Sequence, residues 1–189
     1  MAIRRAFGRG DRTRLTDRLV PLFYFAFYLF SRDRKKTKKR KGFLERHQEW
    51  ERERDGYVIS TDPGRLDHDA ILALLADTYW ARNIPSEVLR RSIGNAHPFG
   101  LYRADGRQVG YARVVTDYVR FAWLSDVVVG EEERGHGLGK WLVGTILDHE
   151  PLRHVDRWLL VTEDAHDLYR RYGFSGLRDP GRFMIRQGS

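Results

Sequence analysis

Apolar and polar positions change period several times along this chain, and each change marks an element. Gly56–Thr61 (GYVIST) is short, apolar and β-branched, and Asp62-Pro63-Gly64 closes it, so it reads as a strand ended by a turn. Leu66–Trp80 carries apolar residues at 71, 72, 74, 75 and 79, the spacing of a helix. Pro85 breaks that pattern, and Ser86 is a candidate N-cap for a second helix over Glu87–Ile93. Strand patterns follow over Pro98–Ala104, Gln108–Thr116 and Phe121–Val129, the first two joined by the hairpin dipeptide Asp105-Gly106. Short links between successive strands predict an antiparallel meander. Helical spacing returns over Leu138–His149. Arg157–Val161 reads as a short buried strand, Ala165–Tyr172 as a helix stopped at Gly173, and Gly181–Arg186 as a last strand. The order β-α-α-β-β-β-α-β-α-β predicts an α/β fold, a mixed sheet with helices on its faces.

Charge divides the chain differently. Residues 1–54 hold 17 Lys and Arg against 7 Asp and Glu, whereas residues 55–189 hold 17 against 19. The net charge of +8 therefore arises wholly in the first 54 residues, and the remainder has no nucleic-acid footprint. The sequence predicts a basic N-terminal extension over 1–54 and one folded domain over 55–189. The extension contains an apolar run, Leu19–Phe30, and a basic block, Arg32–Lys41. The run has 12 residues, short of the roughly 20 that a membrane span needs. It also lacks a small-residue cleavage site before the charged block, which argues against a signal peptide. Four readings stay open: a disordered basic extension with a sticky apolar patch, an anchor lying on an anionic membrane surface, a nucleic-acid or partner arm, and a start codon downstream that leaves this segment unmade. Residues 43–54 alternate in charge and read as a solvated helix or linker. There is no cysteine, which excludes disulfides and thiolate metal sites and fits a cytoplasmic setting. His97, His136 and His166 show no metal-ligand spacing and read as surface or loop residues.

The chemistry concentrates after the third strand of the meander. There Val127-Val128-Val129 runs into an acidic link, Glu131–Glu133, read as solvated. A glycine-rich basic turn, Arg134-Gly135-His136-Gly137-Leu138-Gly139-Lys140, then opens a helix. A helix N-terminus offers unpaired N–H groups and partial positive charge, and glycines let several amides converge on phosphate oxygens. This is not a P-loop, because Trp141 stands where the hydroxyl would be. Nor is it a dinucleotide fingerprint, because the glycine spacing differs and the loop follows a meander.

Arg134-x-x-Gly137-x-Gly139 behind Asp126-Val127-Val128-Val129 resembles the coenzyme A signature of the GNAT superfamily of N-acetyltransferases. Leu168-Tyr169-Arg170-Arg171-Tyr172-Gly173-Phe174 is similar to that superfamily's second hallmark, and the element order matches. The resemblance covers roughly residues 55–187. It implies a mostly antiparallel sheet and acetyl-CoA as co-substrate, with no metal. It implies that residues 134–140 cradle the pyrophosphate and that the backbone of Val127–Val129 pairs with the pantetheine arm like an added strand. It implies a cofactor contact at Thr162, where the family usually carries Asn. A primary amine of a small molecule or peptide would be the acceptor, and a homodimer is common in the superfamily.

Direct attack of an amine on a thioester needs a base, donors for the oxyanion and an acid for the leaving thiolate. The resemblance assigns the acid to Tyr169. Asp126 is the candidate base or water-positioning group, or else a structural carboxylate held by backbone or an arginine. Tyr79, Trp80 and Tyr111 are candidates for the acceptor slot. Two further readings stay open. One is a domain that holds acyl-CoA without turnover; the other is a protein recruited to membrane or nucleic acid through residues 1–54.

Overall fold

The computed structural model describes residues 49–187. The apolar run at 19–30 and the basic block at 32–41 lie outside the described residues, and so does most of the N-terminal extension. Among these residues six strands form one sheet in chain order: β1 (Glu51–Arg54), β2 (Tyr57–Ser60), β3 (His97–Arg103), β4 (Gln108–Thr116), β5 (Ala122–Val129) and β6 (Trp158–Leu159). All neighbouring pairs are antiparallel except β5 and β6, which run parallel. The helices are α1 (His68–Ala76), α2 (Ser86–Gly94), α3 (Leu138–Asp148) and α4 (His166–Arg170). This is the mixed α/β architecture that the sequence pattern predicts.

Each face of the sheet buries its own core. On one side Ile71, Leu75, Leu89 and Ile93 of α1 and α2 cover Tyr111 and Val128. On the other, Leu138, Leu142, Val143 and Ile146 of α3 pack with Phe99, Leu101, Ala112, Val114, Ala122, Leu124 and Tyr169. Helix α1 starts where Asp67 accepts from the amides of Asp69 and Ala70, both at 3.0 Å, a side-chain cap of the strongest kind. The predicted cap of α2 is displaced by one residue: Pro85 occupies the cap position and Ser86 is already helical. Helix α4 is shorter than its sequence pattern and ends through Gly173, whose φ of 83° is left-handed.

Two elements at the ends of the domain differ from the sequence reading. Residues 51–54 are neither helix nor linker but an edge strand paired with β2 from Glu51↔Ser60 to Arg54↔Tyr57. The sheet thus begins before residue 55. Alternating charges here suit an outer strand, because they discourage pairing with another chain. Trp50 packs against the α3-side core just before it. Conversely, Gly181–Arg186 forms no strand. Asp179-Pro180 sets a single 3-10 turn over Pro180–Arg182, and Met184 and Ile185 are 98% and 88% exposed. The apolar alternation there never meets a strand partner. His97, read as a surface or loop residue, is buried in β3 beside Phe99 and His149.

Candidate active site

The site is made by the way β5 leaves its neighbours. Strand β5 pairs with β6 only at Ala122↔Trp158 and Trp123↔Leu159. Beyond Trp123, among the described residues, the β6-side edge of β5 has no strand partner, and its backbone groups face a gap. On its other edge the register to β4 slips by one residue between Tyr111↔Val128 and Arg113↔Ser125. The extra residue lies at Asp126, whose φ is +55°. This is a β-bulge, and it reverses the alternation: Ala122 and Leu124 face the α3 core, but Val128 faces α1 and α2. A left-handed backbone is unusual for a residue with a Cβ and persists only where its surroundings hold it. Here Arg113 Nε donates to Asp126 Oδ2 in a very short ion pair, and Ser125 Oγ donates to Oδ1 at 3.1 Å.

The gap opens into a cavity of about 600 Å³. Val127, Val128 and Val129 form one wall, and Arg134, Gly135, Gly137, Leu138, Gly139 and Lys140 form the end. Thr162, Asp164, Ala165, Leu168 and Tyr169 close the opposite side, with Thr78 and Trp80 at the rim. The sequence therefore brought most of its candidates to one place.

The glycine-rich turn is shaped for an anion. Gly137 is the N-cap of α3 with φ 73°, and it supplies no side-chain acceptor. The first helical bond is Trp141 N–H to the Gly137 carbonyl at 3.0 Å, so the amides of residues 138–140 have no acceptor within the helix. A Cβ built at Gly135, Gly137 or Gly139 meets no atom within 4 Å, so open space lies over the turn. With Arg134 and Lys140 at either end, this arrangement fits a diphosphate. The turn is braced from behind by Tyr172, whose hydroxyl donates to the Lys140 carbonyl at 2.5 Å.

Tyr169 projects from α4 into the cavity wall and is 8% exposed. Burial, helped by nearby Tyr79 and Asp164, pushes its hydroxyl up to about 12. It stays protonated at neutral pH, as an unshifted phenol also does. Its ring packs edge-on against Phe174, centroids 5.9 Å apart. Thr162 lines the wall, but its hydroxyl accepts from the Ala165 amide at 3.0 Å and so also shapes the start of α4.

Four candidates fall elsewhere. Asp126 is held on Arg113 and is absent from the cavity wall. Tyr111 is fully buried under α1 and α2, and burial raises its hydroxyl pKa. His136 turns its ring back to the Glu133 carbonyl, Nδ1 to oxygen 3.3 Å, and does not line the cavity. Tyr79 stands beside the rim rather than in it: its hydroxyl accepts from the Glu163 amide at 2.7 Å, and its ring meets Trp80 edge-on at 4.8 Å.

One wall residue was misread from sequence. Glu133 is not solvated but 3% exposed. The 3-10 turn over Glu131–Glu133 points two glutamates outward and the third in. Nothing in the run Glu-Glu-Glu distinguishes that residue, because its partners come from distant strands. Among the described residues no group of three or more His, Cys, Asp or Glu is placed to hold a metal ion. Among the same residues no helix is long and apolar enough to cross a membrane.

Comparison with known proteins agrees with this architecture. Residues 68–174 match the family model described as the Acetyltransferase (GNAT) family. An assigned acetyltransferase of Gibberella zeae is 33% identical over 65% of this chain and 79% of its own. A crystal structure from Xanthomonas campestris pv. campestris, of a protein assigned to the GNAT family as an acetyltransferase, is 42% identical. It superimposes with a TM-score of 0.67 over 70% of this chain and 93% of that one. The structure of N-acetylglutamate synthase from Neisseria gonorrhoeae, complexed with coenzyme A and N-acetyl-glutamate, shares the fold at 17% identity. Its TM-score is 0.52 over 64% of this chain and 28% of that one. The chain belongs to the GNAT acetyltransferase family.

Proposed function

We propose that this chain is an N-acetyltransferase that takes the acetyl group of acetyl-CoA and transfers it to a primary amine by direct attack. The observation that carries the reading is the convergence of three parts on one cavity. These are the unpaired edge of β5 at Val127–Val129, the uncapped glycine-rich start of α3, and the buried hydroxyl of Tyr169.

Each part has a separate task. The amides of residues 138–140, with Arg134 and Lys140, hold the diphosphate of acetyl-CoA. The backbone of Val127–Val129 hydrogen-bonds the pantetheine arm in the manner of an added strand. The Asp126 bulge turns the strand there, so that an amide of the Val127–Val129 run is available to the developing oxyanion. The amine sheds its proton to solvent as its nitrogen forms the C–N bond, and the C–S bond breaks as Tyr169, protonated at neutral pH, gives its proton to the departing thiolate and regains one from solvent. Asp126 has a structural task in this scheme, because its carboxylate is already engaged by Arg113 and Ser125. The amine approaches past Trp80 and Thr78 at the rim. The slightly acidic residues 55–189 suit a cationic or polyamine-like acceptor on electrostatic grounds.

The test is a calorimetric titration of the full chain with acetyl-CoA beside a Gly137→Glu variant. The new side chain would fill the turn and repel the diphosphate. Micromolar binding that disappears in the variant supports the reading. A folded wild-type chain that binds nothing refutes it. Binding would be followed by an amine screen read by release of free thiol.

A further inference from the structure

The residue that enters the glycine-rich turn is a buried carboxylate, which is the wrong charge to place beside a diphosphate. Glu133 lines the same cavity as Arg134, Gly137 and Lys140. Its surroundings account for the charge. Tyr57 of β2, 76 residues away in sequence, donates its hydroxyl to Glu133 Oε2 at 2.5 Å. Arg103, the last residue of β3, places Nε 3.3 Å from Oε1, and Arg107 of the following turn stands 3.6 Å from the same oxygen. Arg107 also reaches Glu132 at 3.3 Å. One side chain thus ties the beginning of the turn to two other strands and the hairpin between β3 and β4.

We infer that Glu133 is a positioning residue for the diphosphate-binding turn: it fixes the turn to the sheet and keeps Arg103 and Arg107 at its base. The inference rests on the acetyl-CoA reading of the cavity. The geometry favours anchoring over simple charge repulsion. Within residues 134–137 only the ends carry helical bonds, the Arg134 amide to the Glu131 carbonyl and the Gly137 carbonyl from Trp141, and the two glycines have positive φ, at 85° and 73°. Such a segment has many alternative conformations unless an end is fixed. The upstream end is fixed by Glu133 and by Gly130, whose amide donates to the Val109 carbonyl at 2.8 Å. The downstream end is fixed by α3 itself.

The two mechanisms differ in sign, so they can be separated. If Glu133 acted only through its charge, removing it would tighten binding of an anion. If it positions the turn, removing it weakens binding in spite of the relieved repulsion. The experiment uses the full chain with Glu133→Ala, Tyr57→Phe and the double variant, titrated with CoA by calorimetry. Thermal unfolding and amide hydrogen exchange would be followed without ligand. Glu133→Ala should weaken CoA binding about ten-fold, the scale of one charge-assisted hydrogen bond. Tyr57→Phe, which removes one hydroxyl outside the cavity wall, should weaken it about three-fold. The double variant should bind no worse than Glu133→Ala, since both act through one bond.

Exchange should quicken at residues 134–140 while α1 and β4 keep their protection. Unchanged or tighter CoA binding in folded Glu133→Ala overturns the inference, and so does unfolding that falls with affinity intact. If Glu133→Ala does not fold, Tyr57→Phe decides alone. The exchange measurement needs no ligand. A wild-type chain that ignored CoA would refute the acetyl-CoA reading, while the anchor would still stand or fall on the exchange at 134–140.

Discussion

Arg113 on β4 and Asp126 on β5 form a buried ion pair at the one residue where β5 bulges. Their side chains are 18% and 8% exposed, so neither charge can be returned to water without disturbing the sheet. Replacing one partner strands the other, which in buried pairs costs about 3 kcal/mol. Arg113→Met should therefore lower the unfolding free energy read from urea denaturation by that amount, and more than Asp126→Asn, whose amide oxygen can still accept from Arg113 Nε. Asp126→Gly should be milder than Asp126→Ala by about 1 kcal/mol, since alanine would retain the strained left-handed backbone. Equal losses for glycine and alanine would show that the backbone conformation there carries no strain.

Tyr169→Phe removes one hydroxyl from the cavity wall and keeps the ring against Phe174. With a working acceptor in hand, kcat should fall about 100-fold, the usual weight of one general acid. The Kd for acetyl-CoA should move less than two-fold. A variant with unchanged kcat would remove Tyr169 from the chemistry and leave it as packing.

Gly137→Ala separates backbone from bulk. Its Cβ would meet no neighbour, but φ of 73° disfavours it. Unfolding should become easier by about 1 kcal/mol. Chemical denaturation measures this directly, and a neutral result would mean that the turn relaxes to another conformation.

His149 makes stability depend on pH. It is 4% exposed, packed between Trp50, His97 and Phe99, with ring centroids 5.0, 5.0 and 5.4 Å away. Burial pushes its pKa from 6.5 down to about 4, against a small opposing pull from Glu150. The folded state thus refuses a proton that the unfolded chain accepts. Its contribution is complete above pH 6.5 and is lost as the pH falls towards 4, by about 3 kcal/mol at most. Thermal melts of the wild type and His149→Phe should diverge over that range, with the variant flatter. Parallel curves would place the acid sensitivity elsewhere.

The interior of the fold was legible because its signals are local. The meander from His97 to Val129 follows alternation and hairpin chemistry, and Gly137 and Gly173 stand where helices must start or stop. The cavity wall from Val127 to Lys140, with Tyr169, followed from motif order. What escaped depends on partners far away in sequence. The bulge at Asp126 is invisible because only pairing with β4 shows that a residue is extra. Tyr111 sits on an alternating strand, and alternation does not say whether a face meets solvent or a helix. Glu133 differs from Glu131 and Glu132 only through Tyr57, Arg103 and Arg107. At the ends of the domain the local pattern was weakest. Charges at 51–54 hid an edge strand, and the apolar residues at 183–185 suggested one that pairs with no strand among the described residues.

The two-residue contact between β5 and β6 bears on rates as well as on shape. The opening beside Val127 lies where β6 ends at Leu159 while β5 runs on to Val129. A ligand of matching form would associate at a speed governed by encounter and charge, slowing with added salt.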